Sequence, residues 1–556
     1  MEPKEILCEM SIDKESVRRF FSLRELLTGA VEADPQHIAF KYKRDKEIVS
    51  VTNRALLDDV EALGAALREL GFGESHIAIL GENGYPWAVS FYAVLLGASV
   101  AVPLDKELDE KTLVYLLNES DSTCLICDEK HAAMLAPHRA ALAGLEKIIV
   151  FERARSEGDI LSFSEVMEAG RLLDKSAYRA ARTEPHTLKD LVYTSGTTGT
   201  AKGVMLSEQN LVSCIYYGLR ATSIAGTGLS VLPYHHTYEA TCEILVSPLA
   251  GTTLCINDNL RHVAENMRLF KPDFMMLVPA FAEHFVAVVQ NNIKKQGKER
   301  LFAFMVKLSR FLRRFGIDLR RKFFRSVLAG FGGNLRHIVC GGAPIRPDVG
   351  KFFDDIGILM VGGYGITECA PLVSANEADG TNNFSSAGKR LECLEWRIEG
   401  ADERGIGEIL VKGENVMLGY YKRPDLTAEV MEDGWFHTGD YGYINDRDEI
   451  VITGRKKNII VLNNGKNIYP EELEGRIQSI ASVVEVVVSG VKNEHGQDIG
   501  LCAEVYCGEE NVPEESTLTA EIERALSDLP RYKHISRVTV RRDPFPKTTT
   551  RKIKRT

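Results

Sequence analysis

Through roughly its first 400 residues the chain alternates short apolar runs with segments of helical periodicity. HIAILGEN, ASVAVPL and TCLICD read as strands, and WAVSFYAVLLG and KTLVYLLNES read as the helices between them. Strands that are apolar on both faces, separated by helices, indicate parallel sheets with helical cover. The uncharged stretch Gly84 to Leu104 is long enough to cross a bilayer. Gly97 and Pro103 punctuate it, so it predicts a buried helix up to Leu96, a turn at Gly97 and a short strand. After Gly388 the texture changes. LEWRIEG, GEILVKG, YGYIND and EIVITGR are short strands bounded by Gly and Asp, as in a small β-rich lobe. From about Arg455 the pattern becomes α+β: EELEGRIQSI, VVEVVVSGV, LCAEVYCG, LTAEIERALSDL and RVTVRRD. A domain boundary is therefore expected near Arg455.

Composition narrows the class. The 556 residues are enough for several cores, and 44% hydrophobic with 26% charged residues is an ordinary globular mix. Disorder and collagen-like repeats are excluded as the main architecture. The formal net charge of -10 argues against nucleic acid as a partner, because phosphate binding needs clustered Lys and Arg. Eleven scattered cysteines are too sparse for a disulfide scaffold. The first residues, MEPKEILCEMSIDKES, are charged from the second position and do not read as a secretory leader, so a cytoplasmic compartment is expected. Cys124 and Cys127 form a lone CxxC on a short apolar run and read as packing residues.

One segment departs from the acidic balance. Lys294 to Arg325 carries twelve Lys and Arg against Glu299 and Asp318, a local net of +10 that leaves -20 for the rest. Leu301, Phe304, Leu308, Phe311, Leu312 and Phe315 fall at helical spacing, and Gly316 ends the helix. Two expectations follow: an apolar face packed on the large domain with a solvated cationic face, or peripheral contact with anionic membrane at its inner face.

The chemistry concentrates in a few motifs. In LVYTSGTTGTAKGVMLS an apolar strand enters a loop rich in backbone N–H groups and hydroxyls, with Lys202 adding a positive charge. That suits a polyphosphate. It is not a P-loop: counted from Gly196, Ala201 stands where glycine belongs, and Gly203 follows Lys202 where a hydroxyl residue belongs. In GGYGITE, Tyr364 offers a flat face for a base, and Thr367 and Glu368 offer oxygens; a carboxylate here suits Mg2+ beside phosphates. GGAP follows the apolar run HIVC, and HTGD supplies Asp440, able to accept both hydroxyls of a ribose. His235, His236 and Glu239 form HHxxE, which lacks the HExxH spacing of zinc enzymes.

In this order the motifs resemble the superfamily of adenylate-forming enzymes: acyl-CoA synthetases, luciferases and peptide-synthetase adenylation domains. The resemblance runs over nearly the whole chain through YTSGTTGTAKGV, LPYHHTYE, GGAP, GYGITE, GEILVKGENVMLGYY, WFHTGD, GRKKN, NNGKNIYPEELE and PKTTTRKIKR. The basic insert, LPYHHTYE and GRKKNIIV look most like long-chain acyl-CoA synthetases. The implied fold class is α/β: a large N-terminal domain over 1–454 with two parallel-type α/β subdomains and a β-rich lobe, a hinge at 455–458, and a small mobile α+β domain over 459–556.

The implied reaction has two steps. A carboxylate attacks the α-phosphorus of ATP, giving acyl-adenylate and pyrophosphate; a thiol, usually of coenzyme A, then displaces AMP. By the resemblance, Thr194, Ser195, Gly196, Thr197, Thr198 and Lys202 would line the phosphates. Gly341, Gly342, Ala343, Tyr364 and Gly365 would hold AMP through its adenine side, and Asp440 and Arg455 its ribose. Thr367 would bond the α-phosphate and Glu368 would hold Mg2+. Lys552 matches the adenylation lysine, although Arg551 stands where the family often has glycine; Lys547 is the fallback. His236 matches a histidine at the mouth of the acyl and thiol channel, Lys457 the hinge, and Gly465 the path of pantetheine.

A medium- or long-chain fatty acid and CoA are the expected substrates, with ATP and Mg2+. A homodimer is an open expectation. The rival readings are a ligase that loads a carrier protein or activates an aryl or steroid acid, and a nucleotide-binding regulator without catalysis. Retention of Lys202, Glu368, Asp440 and Lys552 argues against the last. No carrier domain is expected beyond Thr556, and a peptide-synthetase module is therefore not the expected reading.

Overall fold

A computed structural model of the chain describes residues 14–45, 47–194, 201–222, 224–376, 384–463, 466–480, 482–493, 498–508, 512–547 and 553–555. The chain forms two compact units. The first comprises Met1–Phe384, Gly388–Glu395 and Lys412–Gly434; the second comprises Ser385–Ala387, Trp396–Val411 and Trp435–Thr556.

The first unit holds two sheets built on parallel strands, as the alternating pattern predicts. In the eight-stranded sheet, Leu188–Thr194, Val100–Leu104, His76–Leu80, Ser122–Cys127, Lys147–Val150 and Ile160–Ser162 lie side by side in parallel. Lys202–Ser207 and Gly419–Tyr420 extend it antiparallel at one edge. The uncharged stretch resolves into the buried helix Tyr85–Leu96 and the strand Val100–Leu104, every residue of which is buried. Cys124 and Cys127 sit in Ser122–Cys127 with no exposure, and burial pushes both thiols well up. No helix among the described residues is long and apolar enough to cross a membrane.

Polar residues mark where the helices begin. Asp109 accepts from Thr112 N at the start of Glu110–Glu119, and Ser207 and Asn210 form a reciprocal cap on Glu208–Ala221. Such caps satisfy N–H groups that the helix itself leaves open.

The nine-stranded sheet has a parallel centre: Leu359–Gly365, His337–Cys340, Phe274–Leu277, Thr227–Ser230, Thr253–Ile256 and Ile38–Arg44. Antiparallel strands close both edges. The GGAP and GYGITE motifs therefore leave neighbouring parallel strands at their carboxyl ends, the usual place for ligands on open α/β sheets.

The basic segment becomes Pro279–Lys295, Glu299–Arg313, Arg320–Phe323 and Arg325–Gly330. The face of Glu299–Arg313 that packs inward is not the expected apolar stripe. It holds buried Ser309 and half-buried Phe302, whose ring centroid lies 5.1 Å from that of Phe324. Arg310 pairs with Asp355, and Arg313 with Asp354 at 2.8 Å, on the neighbouring helix Pro347–Ile356. Two arginines expected in solvent thus serve the packing.

In the second unit, Gly407–Gly413, Trp435–Ile444 and Ile450–Arg455 pair antiparallel in a five-stranded sheet. These are the short strands read from GEILVKG, YGYIND and EIVITGR. Glu485–Lys492, Asp498–Tyr506 and Arg537–Arg541 form a three-stranded sheet, with helices Pro470–Ile477 and Glu515–Ala525. Leu473, Ile477, Val486, Val488, Leu501 and Leu518 belong to its core. The segments read together as α+β supply these three strands and two helices.

Candidate active site

The proposed phosphate loop is framed by a hairpin, because Thr194 lies opposite Lys202 in the antiparallel register of Leu188–Thr194 and Lys202–Ser207. Ser195, Gly196, Thr197 and Thr198 lie outside the described residues. Lys202 Nζ stands 4.9 Å above the ring of Tyr420. Tyr420 O–H in turn donates to Glu368 Oε1 at 2.9 Å. The edge strand Gly419–Tyr420 positions this ring, pairing with Val204 and Met205. Lys202 and Glu368, distant in sequence, are thus joined through one aromatic side chain. Sequence reasoning missed Tyr420, although it ends the GEILVKGENVMLGYY motif; its signal was an aromatic pair placed beside a strand partner of the loop.

Glu368 is half-buried on the short turn Thr367–Cys369, beside buried Thr367. Its backbone carbonyl accepts from Met417 N at 2.8 Å, which ties the turn to the same edge segment. Its second carboxylate oxygen takes no hydrogen bond from the described residues. A half-buried carboxylate with one oxygen held by Tyr420 O–H is a hard oxygen donor, and it fits Mg2+, which binds few carboxylates and shares phosphate oxygens and water. Tyr364 is buried at the end of Leu359–Gly365. Gly365 permits a close backbone approach: a Cβ there would lie 2.6 Å from the Pro371 carbonyl oxygen.

Gly341, Gly342 and Ala343 follow His337–Cys340, with Gly341 N donating to Leu277 O at 3.1 Å. Gly342 has φ +84, a left-handed conformation that glycine adopts without strain. Tyr238 O–H donates to Val339 O at 3.0 Å, which brings the LPYHHTYE segment against this strand.

His236 is half-buried and begins the turn Thr237–Glu239, which continues into a π-helical turn, Ala240–Leu245. Glu239 points away from metal chemistry: its Oε1 accepts from Ser230 Oγ at 2.5 Å. Burial raises its carboxyl to about 7, and burial also holds Glu243 well above the carboxylate range. Among the described residues no group of three or more His, Cys, Asp or Glu is arranged to hold a metal ion. The buried acid pair gave no clear sequence signal, because Glu at helical spacing reads as a solvated face.

In the second unit, Asp440 and Arg455 are register partners on Trp435–Ile444 and Ile450–Arg455. Arg455 Nε lies 2.6 Å from Asp440 Oδ1, and Asp440 is buried. Asp440 N donates to Thr438 Oγ1 at 3.0 Å, and Lys456 pairs with buried Glu408 at 2.6 Å. Lys457 is exposed on the turn Lys456–Asn458. The strands Ile460–Val461 and Asn467–Ile468 pair antiparallel on either side of the NNGKN loop, whose Gly465 lies outside the described residues. Lys552 also lies outside them. Its flanks are anchored: Lys547 bridges antiparallel to Ile553, Lys547 Nζ pairs with Glu485 at 2.6 Å, and Arg555 pairs with Glu474.

Asp190 was also missed. It lies inside Leu188–Thr194, fully buried, and neither carboxylate oxygen has a hydrogen-bond partner. Burial alone raises its carboxyl from 3.8 to about 8. The folded chain therefore holds this proton where the unfolded chain releases it. Stability is highest below the unfolded value and falls as pH rises toward the folded one, by up to about 1.4 kcal/mol per pH unit. Asp190→Asn should flatten that slope between pH about 4 and 8 in urea unfolding followed across pH. Parallel curves for the two proteins would show that Asp190 does not titrate there.

Comparison with known proteins agrees with these features. A profile of the AMP-binding enzyme family matches residues 27–421. The chain is 29% identical over 482 residues to the long-chain-fatty-acid–CoA ligase FadD15 of Mycobacterium bovis, covering 82% of this chain and 78% of that one. It is 29% identical over 472 residues to long-chain-fatty-acid–CoA ligase 5 of Rattus norvegicus, covering 79% and 69%. Its fold is similar to the adenylation domain of a carboxylate reductase from Mycobacterium chelonae, with TM-score 0.81, 21% identity and coverage of 98% and 91%. The chain belongs to the AMP-binding enzyme family of the adenylate-forming superfamily, as an ATP-dependent, acyl-adenylate-forming ligase.

Proposed function

We propose that the chain activates a medium- or long-chain fatty acid as acyl-AMP and transfers the acyl group to coenzyme A. The observation that carries the reading is the similarity, across about four-fifths of the chain, to relatives named long-chain-fatty-acid–CoA ligases.

The chain's residues take these roles. Lys202 and the loop from Thr194 to Thr198 draw the β- and γ-phosphates, and the Lys202–Tyr420–Glu368 arrangement couples that cation to a carboxylate. Glu368 would hold Mg2+, which supplies charge neutralisation of the phosphates when bound. Thr367 donates to the α-phosphate. Gly341, Gly342, Ala343, Tyr364 and Gly365 accept the adenine side of AMP, and Asp440 with Arg455 takes the ribose. Lys552 brings a cation to the carboxylate and the phosphorus it attacks. Electrostatic stabilisation of this kind dominates where two anions must meet. His236 borders the acyl and thiol channel. Residues 455–458 form the hinge between a domain over 1–454 and one over 459–556, with Lys457 absorbing the rotation.

The test is ATP–pyrophosphate exchange over a panel of fatty, aryl and steroid acids, followed by thioester formation with CoA or carrier-protein thiols. Exchange strongest with fatty acids and turnover with CoA support the reading. Preference for an aryl acid or a carrier thiol replaces it. Within the same assay, Gly465→Leu should leave exchange intact and collapse thioester output, by placing a side chain in the pantetheine path. Lys457→Pro should give the same split by fixing φ at the hinge. Unchanged CoA turnover in both would move the channel and the hinge elsewhere.

A further inference from the structure

The helix Glu299–Arg313 and its C-terminal extension carry three distinct faces. One packs inward through Phe302 and Ser309, with Arg310 and Arg313 paired to Asp355 and Asp354. A second bears Leu301, Phe304, Leu308, Phe311 and Phe315, whose spacing alternates three and four and therefore forms one stripe. This stripe points outward: Leu301 is 55%, Phe304 60%, Phe311 54% and Phe315 67% exposed. A third face carries Arg300, Lys307 and Arg314, each seven residues from the next and all exposed, along one flank of the stripe. Lys298 and Lys322 add further exposed cations nearby in sequence.

We propose that this helix is a peripheral docking element for an anionic lipid bilayer, with the aromatic stripe entering the headgroup–acyl boundary and the Arg300–Lys307–Arg314 row meeting lipid phosphates. Folding leaves several large apolar side chains in water on one line, which calls for an apolar occupant. The cationic row beside that line calls for negative charge at the edge of the occupant, and an anionic bilayer presents both at one depth. A second copy of this chain fits less well. Stripe-to-stripe pairing would bring two segments of net charge +10 together. The arginines that fold the helix inward are already paired, so they are not the lipid contacts.

The proposal concerns lipid and does not depend on which acid is activated. The test is sedimentation of the full chain with phosphatidylcholine vesicles and with vesicles that also contain phosphatidylglycerol, at low and high salt. Binding to the anionic vesicles, weakened by salt, is expected. Phe304→Ser with Phe311→Ser should lower partitioning about tenfold. Lys307→Glu with Arg314→Glu should remove the preference for anionic vesicles. Both double variants should keep pyrophosphate exchange with a water-soluble acid, which shows that they fold. No binding to anionic vesicles at low salt overturns the proposal. So does binding that CoA displaces and the phenylalanine changes leave untouched, which would make the patch a polyanion site. A lipid-free dimer that the phenylalanine changes dissociate would assign the stripe to a copy-to-copy interface instead.

Discussion

Lys552→Ala is expected to lower adenylate formation by about 10²-fold or more, the scale of losing one donor aimed at developing charge. Thioester formation from supplied acyl-adenylate should survive, because its chemistry no longer brings a carboxylate up to a polyphosphate. The tail around Lys552 is held on both sides. Lys547 pairs with Glu485, and Arg555 pairs with Glu474 and lies 3.4 Å from Glu471. Lys547 is thereby committed to an ion pair, so Lys547→Ala is the control and should cost much less exchange activity. Arg555→Ala should lower exchange to an intermediate degree, since it loosens the tail without removing the cation. Pyrophosphate exchange and single-turnover thiolysis of synthetic acyl-adenylate separate the steps. Equal loss of both for Lys552→Ala, or a larger loss for Lys547→Ala, would reassign the lysine.

The parallel sheets were legible because burial on both faces leaves long apolar runs with few competitors, as in ASVAVPL and TCLICD. The β-rich strands and the α+β segments were legible from Gly and Asp at their ends. What failed to show was the direction of faces on the basic helix. Helical spacing identifies a stripe but not whether protein or solvent covers it. Arg310 and Arg313 reverse the usual reading because Asp355 and Asp354, on the neighbouring helix Pro347–Ile356, pair with them. Asp190 and Glu239 were illegible for a related reason. A carboxyl inside an apolar core reads as polar in sequence, yet burial raises its pKa and so favours the neutral form that such a core accommodates. Tyr420 shows in the sequence only as one of an aromatic pair; what gives that pair meaning is the long-range antiparallel pairing with Val204 and Met205, which local sequence does not encode.

Glu368→Gln is expected to shift the Mg2+ requirement of pyrophosphate exchange to higher concentration and to lower its rate by about 10²-fold at limiting metal, since the charge is lost while size is kept. The amide oxygen of glutamine still accepts from Tyr420 O–H, so the turn Thr367–Cys369 keeps its tie to the edge strand. Tyr420→Phe removes the complementary part: the charge stays, and the hydrogen bond at 2.9 Å is lost. Hydrogen bonds to charged groups contribute about 1.5–3 kcal/mol, so a loss of roughly tenfold or more is expected from a carboxylate free to rotate. Tyr420 is a positioning residue, and its effect should pass through Glu368. In the double variant the two losses should therefore not multiply. Magnesium titration of exchange, with calorimetric ATP binding at each metal concentration, separates this from a general loss of nucleotide affinity. An unchanged Mg2+ dependence in Glu368→Gln would remove the carboxylate from the metal site, and fully multiplicative losses would give Tyr420 a separate role against Lys202.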